Sequence, residues 1–256
     1  MNAVYFFSGT GNSRALARRV AEGLAPCDCI EITKEFLESE PAATEYERVL
    51  AVFPSYAYGI PALVRQFLRR EYFRSDYVAL AATCGTSAGG TLATARKLLK
   101  KRGVTVSLGF TVKTVENFLP IFGEQPEERI LIRIENQKRL ADELIDALKD
   151  KKIRKIRRFH PLAGCVNGVF RAATPLLASS IRIGDACTGC GVCRRVCPAA
   201  AIEIREGKPV IDRKRCNQCQ ACLNACPSQA MRMWRHKNGC RQYLHPDIEL
   251  RELFKR

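Results

Sequence analysis

The sequence predicts a doubly wound α/β domain on a five-stranded parallel sheet, followed by a small cysteine-rich α+β unit. Three observations carry this. Apolar runs in the first half are continuous rather than alternating, as in strands covered on both faces. They alternate with helical patterns, the signature of an open parallel sheet. Eight of the 13 cysteines crowd between Cys187 and Cys226, and 256 residues suffice for two separate cores.

The strand candidates are Val4 to Phe7, a weaker run from Cys29 to Ile32, then Val49 to Phe53, Tyr77 to Ala82 and Val104 to Phe110. Helical patterns fall at about 13–24, 61–70, 88–102 and 126–150. Ligands of such sheets sit beyond the carboxyl ends of the strands, so the loops there are the candidate site. The first strand leads into Ser8, Gly9, Thr10, Gly11, Asn12 and Ser13, and the third into Pro54, Ser55, Tyr56, Ala57, Tyr58 and Gly59. The fourth ends in Thr83, Cys84 and Gly85 before Gly89 and Gly90, and the fifth runs toward Asn117. The first loop has no lysine, as a P-loop requires, and Arg14 stands where the dinucleotide fingerprint needs its third glycine. Its hydroxyls and the N–H groups of a helix N-terminus suit a single phosphate. The plainer reading is a tight turn capped by Asn12 or Ser13. Cys84 fits either ligand contact or a small buried residue at a strand end.

"SGTGNS" is similar to the Ser/Thr-x-Thr-Gly-x-Ser/Thr loop of flavodoxins. That resemblance implies FMN, with Ser8, Thr10, Asn12 and Ser13 at the phosphate and the loops at 54–59 and 84–90 flanking the isoalloxazine ring. Tyr56 or Tyr58 would stack on the ring, since a large aromatic face matches a flat apolar one. Many flavodoxins use Trp and Tyr there, whereas the one tryptophan of this chain, Trp234, lies outside the domain.

"CTGCGVCRRVCP" from Cys187 and "CNQCQACLNACP" from Cys216 superpose at an offset of 29 residues. Two runs of C-x2-C-x2-C-x3-C-P form the bacterial two-cluster ferredoxin pattern, in which the fourth cysteine of each run ligates the other cluster. One [4Fe-4S] cluster is therefore expected on Cys187, Cys190, Cys193 and Cys226, the other on Cys216, Cys219, Cys222 and Cys197. Structural zinc, the competing reading, calls for paired C-x2-C motifs rather than two runs of four. Over most of its length the chain resembles the flavodoxin-ferredoxin fusion proteins of anaerobic bacteria and archaea. The phosphate loop and the cysteine runs share no residues, which predicts cofactor loading that separates by segment.

The formal charge of +16 is uneven. Lys and Arg nearly balance Asp and Glu over residues 1–150 (20 against 19), but outnumber them 8 to 1 over 151–185 and 14 to 6 over 186–256. This predicts an acidic redox partner at the C-terminal half. The basic stretch "KKIRKIRR" opens a connector whose apolar part is broken by Pro161, Arg171 and Pro175, too interrupted for a transmembrane helix. It suits a docked linker, and leaves room for peripheral contact with an anionic membrane or for an acidic partner. Nucleic-acid binding is not expected, because it would leave both cofactor motifs unused. No signal-peptide pattern opens the chain, and clustered ligand cysteines suit a reducing cytoplasm. The expected divisions are 1–150, a connector at 151–180, the cluster unit at 181–236 and a basic tail at 237–256 that packs on the cluster unit. His160, His236 and His245 are read as non-ligands. The function expected is electron transfer between FMN and two [4Fe-4S] clusters and on to a partner. An open pocket between residues 54–59 and 117–122 would instead favour a flavin-dependent reductase of a small oxidised substrate. Oligomeric state is not legible.

Overall fold

The computed structural model describes residues 1–40, 44–70, 75–156, 161–234 and 241–255. His160, His236 and Cys240 lie outside the described residues. The first unit alternates strands and helices: β1 (Asn2–Phe6), α1 (Asn12–Gly23), β2 (Cys27–Glu31), α2 (Lys34–Glu38), β3 (Arg48–Pro54), α3 (Ala62–Arg70), β4 (Val78–Cys84), α4 (Thr91–Lys100), β5 (Val106–Lys113), α5 (Leu119–Phe122) and α6 (Glu127–Lys149). All five strands are parallel, in the order β2-β1-β3-β4-β5. This is the doubly wound flavodoxin-like order, with its switch point between β1 and β3.

Alternation along each strand serves two cores. Val4 and Phe6 of β1 face α1 and α6, packing with Leu16, Val20, Leu144 and Leu148. Ala3 and Phe7 face the other way, with Phe67 of α3 and Leu99 of α4. Every residue of β4 is buried, as a central strand of a two-sided sheet requires.

The connector does not hang between units. Arg154 adds a parallel bridge to Leu108 at the outer edge of β5, its N–H donating to Ser107 O at 3.0 Å. Its guanidinium lies over the Phe110 ring. The basic run, expected to lie with the C-terminal half, is thus laid in part along the edge of the first sheet. α7 (Pro161–Ser179) follows and carries Pro175 within it. No helix among the described residues is long and apolar enough to cross a membrane.

The second unit has two short hairpin-like pairs, β6 (Arg182–Ile183) with β9 (Met231–Arg232) and β7 (Ile202–Arg205) with β8 (Lys208–Ile211), around one-turn helices α8 (Val192–Arg195) and α9 (Ala221–Asn224). The 29-residue repeat of the sequence is a repeat of backbone. Gly189, Gly191 and Ala200 have positive φ, and so do Gln218, Gln220 and Gln229 at the same offset. Ala201 N–H donates to Cys197 Sγ and Ala230 N–H to Cys226 Sγ, both at 3.3 Å.

The two units share a core and a hydrogen-bonded seam. Ala199 and Ala201 belong to the cluster around Phe67. Asn217 Oδ1 accepts from Leu63 N–H at 3.0 Å in the first turn of α3, satisfying one of that helix's open donors. Pro198 O accepts from Lys34 N–H at 2.8 Å. At the centre of the seam, a Cβ on Gly9 would overlap the Cys219 carbonyl.

Gly9→Ala is expected to destabilise by about 1–3 kcal/mol, because overpacking there meets backbone rather than a movable side chain. Gly168→Ala, at an open position of α7, should be neutral or gain up to about 1 kcal/mol from helix propensity. Denaturant unfolding of both variants tests the contrast.

Candidate functional site

A cavity of about 250 Å³ opens where the carboxyl ends of β1, β3, β4 and β5 converge. Of the residues expected there, Ser8, Gly9, Thr10, Asn12, Ser13, Pro54, Ser55, Tyr56, Ala57, Tyr58, Thr83, Cys84, Gly85 and Asn117 line it. Gly11, Gly59, Gly89 and Gly90 do not, and they shape the loops from behind. Gly11 adopts φ 99° against His245, which a side chain would not permit. Gly59 lies against Asn167, and Gly89 behind Tyr58. Gly90 precedes α4.

The phosphate-type loop is built for an anion. α1 starts with no side-chain cap, so its first-turn N–H groups are offered to the cavity beside the Ser8, Thr10 and Ser13 hydroxyls. The hydroxyls are held by neighbours. Ser8 Oγ accepts from Gly11 N–H at 3.2 Å, Ser13 and Thr83 hydroxyls pair at 2.8 Å, and Asn117 Nδ2 donates to Thr10 Oγ1 at 2.7 Å. The side chain of Asn12 is spent on the protein: Nδ2 donates to Val115 O and Oδ1 accepts from Tyr243 OH at 2.6 Å. Its contribution toward a ligand is the main chain.

Tyr56 and Tyr58 differ. Tyr56 is half-buried, edge-on to Phe7 at 6.4 Å, while Tyr58 is exposed at the mouth. Ala57 and Tyr58 both have positive φ, in a tight turn closed by Tyr56 and Gly59, which exchange hydrogen bonds of 2.8 and 3.0 Å. Two non-glycine residues in that region are a strained turn of the kind concentrated at functional loops. Burial, with Cys219 and Glu116 nearby, holds the Tyr56 hydroxyl well above the usual range. Burial likewise pushes the Cys84 thiol up to about 11, so it stays protonated.

Phe118, Ile121 and Phe122 of the 117–122 loop line the cavity as an open pocket requires, while Glu116, Val166, Phe170 and Gln218 were not anticipated from sequence. Val166 and Phe170 stand four apart on α7, a helical spacing visible in the sequence but hidden by the prolines around it. α7 is fixed over the loop by Asn167, whose Nδ2 donates to Tyr56 O at 3.0 Å.

The tail, expected to pack on the cluster unit alone, clamps both units. Gln242 Nε2 donates to Leu223 O and Cys226 O, while His245 N–H donates to Thr10 O at 2.9 Å. Lys255 pairs with Glu31 of β2. A chain ending near residue 150 would keep the loops after β1, β3, β4 and β5 but lose α7, Gln218 and this clamp, which complete the wall of the cavity.

The eight clustered cysteines fall into two cavities. One is lined by Cys197, Cys216, Cys219 and Cys222, the other by Cys187, Cys190, Cys193 and Cys226. Each set takes three cysteines from one run and the last from the other. Among the described residues no three His, Cys, Asp or Glu side chains converge on a single ion site. Burial pushes Cys193 and Cys216 up to about 11 and Cys219 to about 12. Thiols so placed ionise when a bound metal supplies the positive charge.

Residues 186–230 match the family model of the 4Fe-4S dicluster domain. No curated protein matches the chain. Among solved structures, the Streptococcus pneumoniae flavodoxin is 18% identical over 56% of this chain and 96% of its own, with a TM-score of 0.37. The Megasphaera elsdenii flavodoxin is 18% identical over 56% and 99%, with a TM-score of 0.33. A Lactobacillus acidophilus flavoprotein solved with FMN is 10% identical over 43% and 91%, with a TM-score of 0.36.

His245 ties the tail to acid stability. Burial lowers its pKa to about 4, below the unfolded value of about 6.5. The unfolded chain therefore binds the extra proton first, and stability falls as pH drops from about 6.5 to about 4, by up to about 3 kcal/mol. Denaturant unfolding against pH should show this slope, and His245→Gln should flatten it.

Proposed function

We propose that this chain, in which a flavodoxin-like sheet is fused to a 4Fe-4S dicluster domain, transfers electrons between FMN in the sheet cavity and two [4Fe-4S] clusters. The observation that supports this best is contiguity. Gln218 lines the flavin cavity and the cavity of Cys197, Cys216, Cys219 and Cys222 alike, and Gly9 touches the Cys219 carbonyl.

The chain's own residues bind and orient. Ser8, Thr10 and Ser13, with the N–H groups opening α1, take the phosphate. The loops 54–58 and 83–87 and Phe170 of α7 enclose the ring and exclude water. Ala201 and Ala230 N–H groups stabilise the crossing thiolates Cys197 and Cys226. Bound FMN exchanges one or two electrons and each cluster one, so the pair connects two-electron with one-electron traffic. The set Cys197, Cys216, Cys219 and Cys222 is the flavin-proximal one. Cys190 is exposed in the other set, and Arg194 of α8 and Lys208 of β8 in the same unit are exposed as well. An acidic redox protein fits that exit.

A second reading is favoured by the mouth of the cavity, where Ile121 is 63% and Phe122 45% exposed beside Tyr58. An open apolar rim over the ring suits a small oxidised substrate reduced at the flavin.

Anaerobically purified chain should show flavin and iron-sulfur absorption together, with acceptor reduction separating carrier from reductase. Cys197→Ala should damage the cluster of Cys216, Cys219 and Cys222, and Cys226→Ala that of Cys187, Cys190 and Cys193. Damage confined to each variant's own run, read by electron paramagnetic resonance, counts against crossed ligation. Thr10→Ala with Ser13→Ala removes charge-assisted hydrogen bonds worth about 1.5–3 kcal/mol each. FMN affinity should fall at least about tenfold with iron content unchanged, as measured by flavin release.

A further inference from the structure

A second cavity, of about 140 Å³, lies behind the flavin cavity and is lined by Gln125, Arg129 and Arg133 on its far side. The two cavities share six lining residues: Gly85, Thr86, Thr114, Val115, Glu116 and Phe122. Among these, Glu116 alone titrates. Its carboxylate lies over the main chain of Gly85, where a Cβ would overlap it, so the glycine leaves the carboxyl its place between the two spaces.

We infer that Glu116 is the proton-exchange group of the flavin pocket, passing protons between the ring and the water-accessible cavity of Gln125, Arg129 and Arg133. This rests on the reading of the sheet cavity as the FMN site. The physical need is plain: an electron added to a ring in a half-enclosed pocket creates a charge there, and uncompensated buried charge is expensive. For each electron that the ring receives from a reduced [4Fe-4S] cluster, the Glu116 carboxyl gives its proton to a ring nitrogen. Its O–H bond breaks and an N–H forms. The cluster is oxidised by one electron, the ring is reduced by one, and the ring's charge is unchanged. Water in the rear cavity, which is wide enough to hold it and offers Gln125, Arg129 and Arg133 as partners, returns a proton to the carboxylate.

The surroundings suit a carboxyl that cycles. Burial raises its pKa, against the N–H groups of Asn117 and Phe118 and the charge of Arg133. The other ionisable groups around it are Cys84 at the end of β4, Lys113 at the end of β5, Arg129 on α6 and Tyr56. Cys84 and Tyr56 are held neutral, so neither competes for the role.

The test uses the full chain reconstituted with FMN and iron, as wild type, Glu116→Gln and Glu116→Asp. Flavin content is measured first: a wild-type chain that retains no FMN overturns the flavin reading itself. With FMN bound, Glu116→Gln should slow flavin reduction by about 100-fold and lose the fall in rate that wild type shows as rising pH takes the proton off the Glu116 carboxyl. Glu116→Asp should recover part of the rate, and added formate should rescue the Gln variant. In wild type, the infrared difference spectrum on flavin reduction should contain a carboxyl band that the Gln variant lacks. Equal rates and pH profiles in wild type and Glu116→Gln, or no carboxyl band in wild type with FMN bound, would overturn the inference.

Discussion

The contact on which the arrangement depends is the one between Gly9 and the Cys219 carbonyl. Any side chain at residue 9 would occupy the space of that carbonyl, so the turn after β1 and the chain that holds the proximal thiols meet backbone to backbone. Electron transfer falls off steeply with distance, and a glycine at the seam removes the width of a side chain from the gap. Pro198, Asn217, Ala199 and Ala201 hold the seam shut by hydrogen bonds and shared apolar burial. The cluster unit is therefore part of the wall and core of the flavin unit rather than a bead on a tether.

The two halves of the cluster unit are built alike yet used differently. Where the first run places Gly189 and Gly191 in the left-handed region, the second places Gln218 and Gln220. Glutamine costs more there than glycine, since its Cβ crowds the backbone. Its side chain gives something back. Gln218 Nε2 reaches Thr174 O of α7 at 3.4 Å and Cys216 Sγ at 3.6 Å, and Gln220 Nε2 contacts Met233 Sδ at 3.6 Å. The cavity of Cys187, Cys190, Cys193 and Cys226 is lined at these positions by glycines with no side chain. The cavity of Cys197, Cys216, Cys219 and Cys222 is lined by glutamines, of which Gln218 ties it to α7.

What was legible in the sequence was what is local or periodic. The continuous apolar runs of Val49 to Phe53 and Tyr77 to Ala82 announce buried parallel strands, and cysteine spacing announces three members of each four-thiol set, because backbone geometry within a dozen residues decides both; the fourth member follows from the repeat of the run. What was hidden depends on long-range closure. Nothing near Tyr243 indicates that its hydroxyl will meet Asn12, 231 residues away. Glu116 looks like one acidic residue among many until β4 and β5 bring Gly85 beneath it. The prolines of α7 signalled interruption, whereas Pro175 sits within a helix whose Val166 and Phe170 still reach the cavity.

If the two units act as carriers as proposed, joining them through a packed seam changes what their charge is for. Separate carriers must find each other by diffusion, and complementary fields set that rate. Here the seam replaces the encounter with a fixed geometry, which supplies orientation and effective concentration without electrostatics. The first unit can accordingly be near neutral, with 20 basic against 19 acidic residues over 1–150. On the proposed reading, the excess of basic side chains over residues 186–256, 14 against 6, serves to offset the charge of the anionic clusters. On that reading charge would act only where an encounter still has to happen, and the apolar mouth at Ile121 and Phe122 is a chemically distinct second entrance.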